Sequence, residues 1–156
     1  MNSRERRMTD ILLHAKDQFG ALALKAEFEA EGARLAEVWQ LSNIANKVGL
    51  DLAIKIGGCE AIRDIMEAKQ MGAKYIISPM IESPYALSKY ISSKKKVFHN
   101  QDNSPVEFLF NIETKTGVDN IDQIIELAVS SKECTGIVFG RHDYSESIGL
   151  GFQSVE

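Results

Sequence analysis

Apolar and polar positions in this chain follow two rhythms that take turns. In residues 34–49 (RLAEVWQLSNIANKVG) the apolar positions Leu35, Val38, Leu41, Ile44, Ala45 and Val48 recur at helical spacing, and Gly49 is a natural helix-closing residue. The same spacing returns in 60–72 (EAIRDIMEAKQMG) through Ile62, Ile65, Met66 and Met71, again ending on glycine. Ser83 and Pro84 suit the cap and first residue of a helix SPYALSKYISSK, and GVDNIDQIIELAVSS predicts another that Asp119 caps. A further helix at the N-terminus carries His14. Between the helices lie apolar runs that predict five strands, at about 21–28, 51–56, 74–81, 106–112 and 136–140.

Strands that alternate with helices of this length predict βαβ units and a parallel sheet. Near-continuous apolar strands are expected where helices cover both faces or surround a barrel. Functional loops of parallel sheets lie at the carboxyl ends of the strands. Those ends carry Glu27 and Glu29, then Lys55 with Gly57 and Gly58, then Ser78 to Glu82, Glu113, and Arg141 to Asp143. The charged groups of the strands are therefore expected on one rim.

Composition narrows the field without naming a chemistry. The 156 residues suffice for one domain, 1–156, and are too few for two ordinary ones. Hydrophobic content of 44% and charged content of 26% fit a globular protein. A net charge of −4 offers no footprint for nucleic acid or an anionic membrane, and no apolar run approaches the ~20 residues that span a bilayer. Lys94-Lys95-Lys96 is expected in a solvated loop. Cys59 and Cys134 lack metal-knuckle or framework spacing, and no secretory h-region is present, so a cytoplasmic setting is expected.

Glu113 and Asp143 end successive apolar strands, where two carboxylates repel unless something positive neutralises them. A hard ion such as Mg²⁺ suits such a pair. The structural alternative is that Glu113 caps a helix starting near Thr116 and Asp143 caps a turn at Tyr144-Ser145. Lys55 suits either a substrate carboxylate or, with a depressed pKa, a Schiff base. Gly57-Gly58 fits close approach of a ligand or simply a tight turn. His14 and His99 lie away from the rim, which leaves only His142 near it.

The run LFNIETKTGVDNIDQI followed by GIVFGRHDYSESIGL closely resembles the paired signature of the HpcH/HpaI aldolase and citrate lyase β-subunit family. AKQMGAKYIISPMIESPYAL is similar to the family's preceding strand, so the resemblance covers roughly 50–150. It implies a TIM-type (β/α)8 barrel, here a partial barrel of about five parallel units from an apparently truncated member, since the whole barrel takes about 250 residues. It also implies a divalent metal, Mg²⁺ with Mn²⁺ as the alternative, held by Glu113 and Asp143. The backbone from Gly140 through Arg141 to Asp143 and a basic residue on the second strand, here Lys55, would hold a 2-oxo-acid carboxylate. The aldolases usually have arginine at the Lys55 position and an acid/base histidine after an early strand. This chain has LKAEFEAEG there, which makes Glu27 or Glu29 the expected proton carrier. The expected activity is metal-dependent carbon–carbon cleavage or formation through a pyruvate-type enolate, on a 2-oxo acid or related acyl substrate, in a homo-oligomer. Three alternatives stand beside it: a Schiff-base aldolase using Lys55, a non-catalytic doubly wound flavodoxin-like module, and an inactive barrel fragment.

Overall fold

The structure is a computed structural model that describes residues 2–98 and 105–151. Its elements run α1 (Ser3–Phe19), β1 (Ala23–Glu27), α2 (Leu35–Val48), β2 (Asp51–Lys55), α3 (Ile62–Gln70), β3 (Tyr75–Ser78), α4 (Pro84–Val97), β4 (Glu107–Ile112), α5 (Lys115–Asp119), α6 (Ile121–Ser131), β5 (Gly136–Phe139) and α7 (Arg141–Ser147). His99, expected in a polar connection, lies outside the described residues. No described helix is long and apolar enough to cross a membrane.

The five strands are all parallel and lie in the order β1-β2-β3-β4-β5. A flavodoxin-like sheet instead puts its second strand outside its first, in the order 2-1-3-4-5. Sequential order is that of a barrel wall, so the fold is a partial barrel and the doubly wound alternative does not hold.

The two faces of the sheet differ. Ala26, Ile54, Ile76, Phe108, Phe110 and Ile112 point to one side and join Val38, Ile65, Leu87, Ile91 and Ile124 of the helices in one core. The other side carries Lys25, Glu27, Lys55, Ile77, Asn111, Glu113 and Val138 around a hollow. The helices thus cover one face, and the charged groups occupy the concave inner one. Two polar atoms tie the core to its frame: Tyr90 donates its hydroxyl to Ile76 O at 2.8 Å, and Ser42 donates to Met71 O at 2.8 Å.

Local signals explain most element ends. Ser83 accepts from Ala86 N at 3.2 Å with Pro84 as the first helical residue, and Gly49 closes α2 in the left-handed region at φ 69°. Three expectations are corrected. The helix expected over 117–131 is two, α5 and α6, meeting at Asn120, and Thr114 rather than Asp119 caps the first by accepting from Gly117 N at 3.0 Å. The lysine run belongs to the last turn of α4, where cations suit the helix dipole, and Lys94 and Lys95 pair with Glu133 at 2.9 and 3.0 Å. Residues 141–147, expected to run on from the strand into a turn, form α7.

Candidate active site

At the carboxyl ends of the strands is a cavity of about 470 Å³. Glu27 ends β1, Lys55 ends β2, Glu113 follows β4, and Gly140 with Arg141 and Asp143 follows β5; all line this one hollow. A somewhat larger hollow of about 550 Å³ lies between the start of α1 and α2, but of its charged residues Arg4 and Glu37 are exposed, Glu5 is spent on capping α1 with Asn2, and it touches no strand end.

Glu113 is 2% exposed, and both of its oxygens are committed. Met80 N donates to Oε1 at 2.9 Å, and Asn111 Nδ2 donates to Oε2 at 2.6 Å. Met80 reaches that position with φ 50°, a left-handed conformation that costs a non-glycine residue roughly 1–2 kcal/mol. Because Thr114 caps α5, the alternative that Glu113 is a helix cap does not hold. Asp143 sits in the first turn of α7, half-buried, and faces the cavity.

Lys55 stands between two carboxylates. Its Nζ is 3.0 Å from Glu27 Oε1 and 3.5 Å from Glu113 Oε2. Glu27 Oε2 takes a second ammonium, Lys25, at 2.9 Å. Burial pushes the Lys55 amine down, yet the hydrogen bond with Glu27 and the charges of Glu113, Glu27 and Asp143 outweigh it and hold the group above its ordinary value. Burial likewise pushes Glu27 up, but the hydrogen bonds and charges of Lys25 and Lys55 leave its carboxyl lowered. A Schiff-base lysine needs the opposite shift. The geometry gives no support to that alternative.

Gly140 lines the cavity for a reason the sequence did not suggest. Its N–H is spent on Ile112 O at 3.1 Å, and a Cβ placed on it would lie 2.5 Å from both Cβ and Oε2 of Glu113. Gly140 therefore supplies room for the Glu113 carboxylate. Arg141 and His142 are exposed at the cavity mouth. Glu29 is not among the lining residues: it is exposed, and its Cγ lies 2.7 Å from where a Gly57 Cβ would be. The space that Gly57 leaves thus receives Glu29, and Gly57 N donates to Asp64 Oδ2 at 2.8 Å, as a tight turn would.

Sequence reasoning missed Asn111 and Lys25. Asn111 is a polar residue inside an apolar strand, two positions before Glu113 and on the same face, which was the available signal. It is 5% exposed, and its Oδ1 is buried with no hydrogen-bond partner among the described residues.

These features define a barrel-type βα protein with an acidic and basic cluster at the strand ends. The family model described as HpcH/HpaI aldolase/citrate lyase matches residues 37–155, and the chain belongs to that family. Among solved structures it is similar to the citrate synthase SbnG, with 20% identity, a TM-score of 0.73, and coverage of 96% of this chain and 62% of that one. An HpcH/HpaI aldolase from Desulfitobacterium hafniense DCB-2 gives 16% identity, a TM-score of 0.72, and coverage of 95% and 63%. An HpcH/HpaI aldolase/citrate lyase family protein from Burkholderia cenocepacia J2315 gives 15%, 0.71, and 97% and 73%. At such identities the likeness concerns the fold. The chain spans 62% and 63% of the first two of these structures. No curated protein matches it in sequence.

Proposed function

We propose that this chain carries the carboxylate and cation-binding part of an aldolase-type site, acting on the carbon–carbon bond of a 2-oxo acid or a related acyl substrate through a pyruvate-type enolate. The observation that carries the reading is Glu113, a buried carboxylate fixed by Met80 N and Asn111 Nδ2 and turned toward a polar cavity.

The donor set fits a hard divalent ion. Glu113, Asp143 and Asn111 all line one cavity and carry oxygen donors, and the buried Asn111 Oδ1 has no hydrogen-bond partner among the described residues. Among the described residues no cluster of three or more His, Cys, Asp or Glu is placed to hold an ion alone. Mg²⁺ is commonly held by one or two carboxylates, with water and substrate completing its shell. Glu113 and Asp143 are the proposed ligands, with Mn²⁺ as an alternative ion. The chemistry that the ion would supply is Lewis acidity toward the carbonyl of the 2-oxo acid. Lys55 offers a fixed ammonium to the substrate carboxylate, Arg141 adds positive charge at the mouth, and Gly140 keeps space beside Glu113.

The test is calorimetric titration of Mn²⁺ with oxalate present, a planar dicarboxylate that resembles the enolate of pyruvate. Glu113→Gln and Asp143→Asn are each expected to abolish binding while circular dichroism remains that of the parent. If both folded variants bind like the parent, the carboxylates are structural and the reading fails.

A further inference from the structure

Of the two glutamates expected to carry a proton, only Glu27 lines the cavity, and its geometry suits another task. A general acid or base needs a lone pair or proton directed at the reacting group. Glu27 directs Oε1 at Lys55 Nζ, 3.0 Å away, and Oε2 at Lys25 Nζ, 2.9 Å away. The side chains of Glu27 and Lys55 are 9% and 10% exposed, so both are held in a largely dry setting. Protonating Glu27 would break two ion pairs together.

The pairing also follows from the fold. Glu27 and Lys55 are direct register partners on adjacent parallel strands, with both side chains on the inner face. Lys55 has a second carboxylate nearby in Glu113, at the longer distance of 3.5 Å. If Glu113 binds a cation, its attraction for Lys55 is offset by that cation's charge. Glu27 is then the group that keeps the ammonium from turning away.

We propose that Glu27 is a positioning residue that fixes Lys55 as the charged anchor of the cavity, with Lys25 bracing Glu27 from the other side. Its effect on an anionic ligand passes through Lys55. The ligand part of this proposal rests on the reading above; the positioning part does not.

Three measurements test it, the last being exchange of the pyruvate methyl protons with deuterium. The first is the ¹⁵Nζ–¹H correlation of Lys55, assigned by its loss in Lys55→Met, because ammonium protons held in buried hydrogen bonds exchange slowly enough to be seen. Glu27→Ala is expected to remove this signal, and Glu27→Gln, which keeps an acceptor oxygen, to retain it. The second is oxalate affinity in the presence of Mn²⁺. Glu27→Ala is expected to weaken it roughly tenfold, the scale of one charge-assisted hydrogen bond, and to have no further effect in a Lys55→Met background. A Lys55 signal that survives in Glu27→Ala overturns the proposal. So does equal weakening in both backgrounds, or a Glu27→Gln variant that binds oxalate normally but no longer exchanges the methyl protons of pyruvate with deuterium. If oxalate fails to bind even the parent, the functional reading falls, and the ammonium signal still decides the positioning role.

Discussion

Replacing Gly140 by alanine adds one methyl group where Glu113 already sits. The new Cβ would lie 2.5 Å from Glu113 Cβ, 2.5 Å from Oε2 and 3.3 Å from Cδ. Carbon atoms in contact prefer about 3.5–4.0 Å, so the first contact falls short by about 1 Å. Rotating the Glu113 side chain relieves the contact with Oε2, but its Cβ moves only with the backbone. That backbone is tied to Gly140 by the 3.1 Å hydrogen bond from Gly140 N to Ile112 O. The β4–β5 spacing must therefore open, or Glu113 must leave the donors Met80 N and Asn111 Nδ2. Overpacking of this kind costs about 1–3 kcal/mol, and one lost hydrogen bond to a buried carboxylate costs about the same. Gly140 has φ −86° and ψ 89°, so the backbone angle adds no left-handed penalty. Reduced freedom of the unfolded chain returns about 0.4–1 kcal/mol. The expected net loss is about 1–2 kcal/mol in urea unfolding, with unchanged slope and weakened Mn²⁺–oxalate binding. Gly58→Ala serves as the control, because nothing lies within 4 Å of its added Cβ. A Gly140→Ala protein within about 0.5 kcal/mol of the parent, with intact metal binding, would refute the claim that Gly140 is there to admit Glu113.

The Glu27–Lys55 pair should also shape stability against pH, with a sign for each limb. Glu27 is lowered from 4.5, so its contribution is present above that value and lost as pH falls through its folded pKa, where the unfolded chain has already taken up the proton. Lys55 is raised from 10.5, so its contribution is complete below that value and lost as pH rises through its folded pKa. Unfolding free energies measured across pH should show both slopes, with Glu27→Gln flattening the acid limb; an unchanged acid limb would contradict the pairing. Self-association is the other expectation: β1 and β5 are the outer strands of the described sheet, and Ile137 and Phe139 on β5 are 43% and 52% exposed. Light scattering of the 156-residue chain should show a mass that rises with concentration, and a monomer throughout would refute this.

Much of the fold was legible because period and punctuation agree. The helix over 35–48 and the start of the one over 84–97 are legible from apolar spacing, Gly49 and the Ser83-Pro84 pair, although the second runs through the lysines expected in a loop. The carboxylates were legible because each follows an apolar strand. What the sequence hid were contacts with no side-chain signal. The donor from Met80 to Glu113 is a backbone N–H 33 positions away. Glu29 is expected beside Glu27 at the end of the first strand, but β1 stops at Glu27, and Glu29 lies beyond it and turns onto Gly57. The break at Asn120 was hidden by the continuous apolar spacing on either side, while Thr114 offered an earlier cap than Asp119.

Strand order has a chemical consequence as well as a topological one. In a flavodoxin-like sheet the first strand would lie between the second and third, with helices over both faces and no open inner side. Here β2 is the pairing partner of β1, which sets Lys55 directly beside Glu27. β3 separates β2 from β4, neighbouring strands lie about 4.8 Å apart, and Lys55 is level with Leu109, four residues of about 3.3 Å before Glu113, so a flat sheet would start Lys55 and Glu113 roughly 16 Å from one another. Their charged atoms are nonetheless 3.5 Å apart. Long side chains close part of that gap, and the concave curvature of a barrel wall closes more by tilting the inner faces of β2 and β4 toward each other. The positive charge that two strand-end carboxylates require is thus supplied first by the chain itself. On the proposed reading, a divalent ion entering the cavity would have to share Glu113 with Lys55, and that competition would make the Glu27 tether consequential.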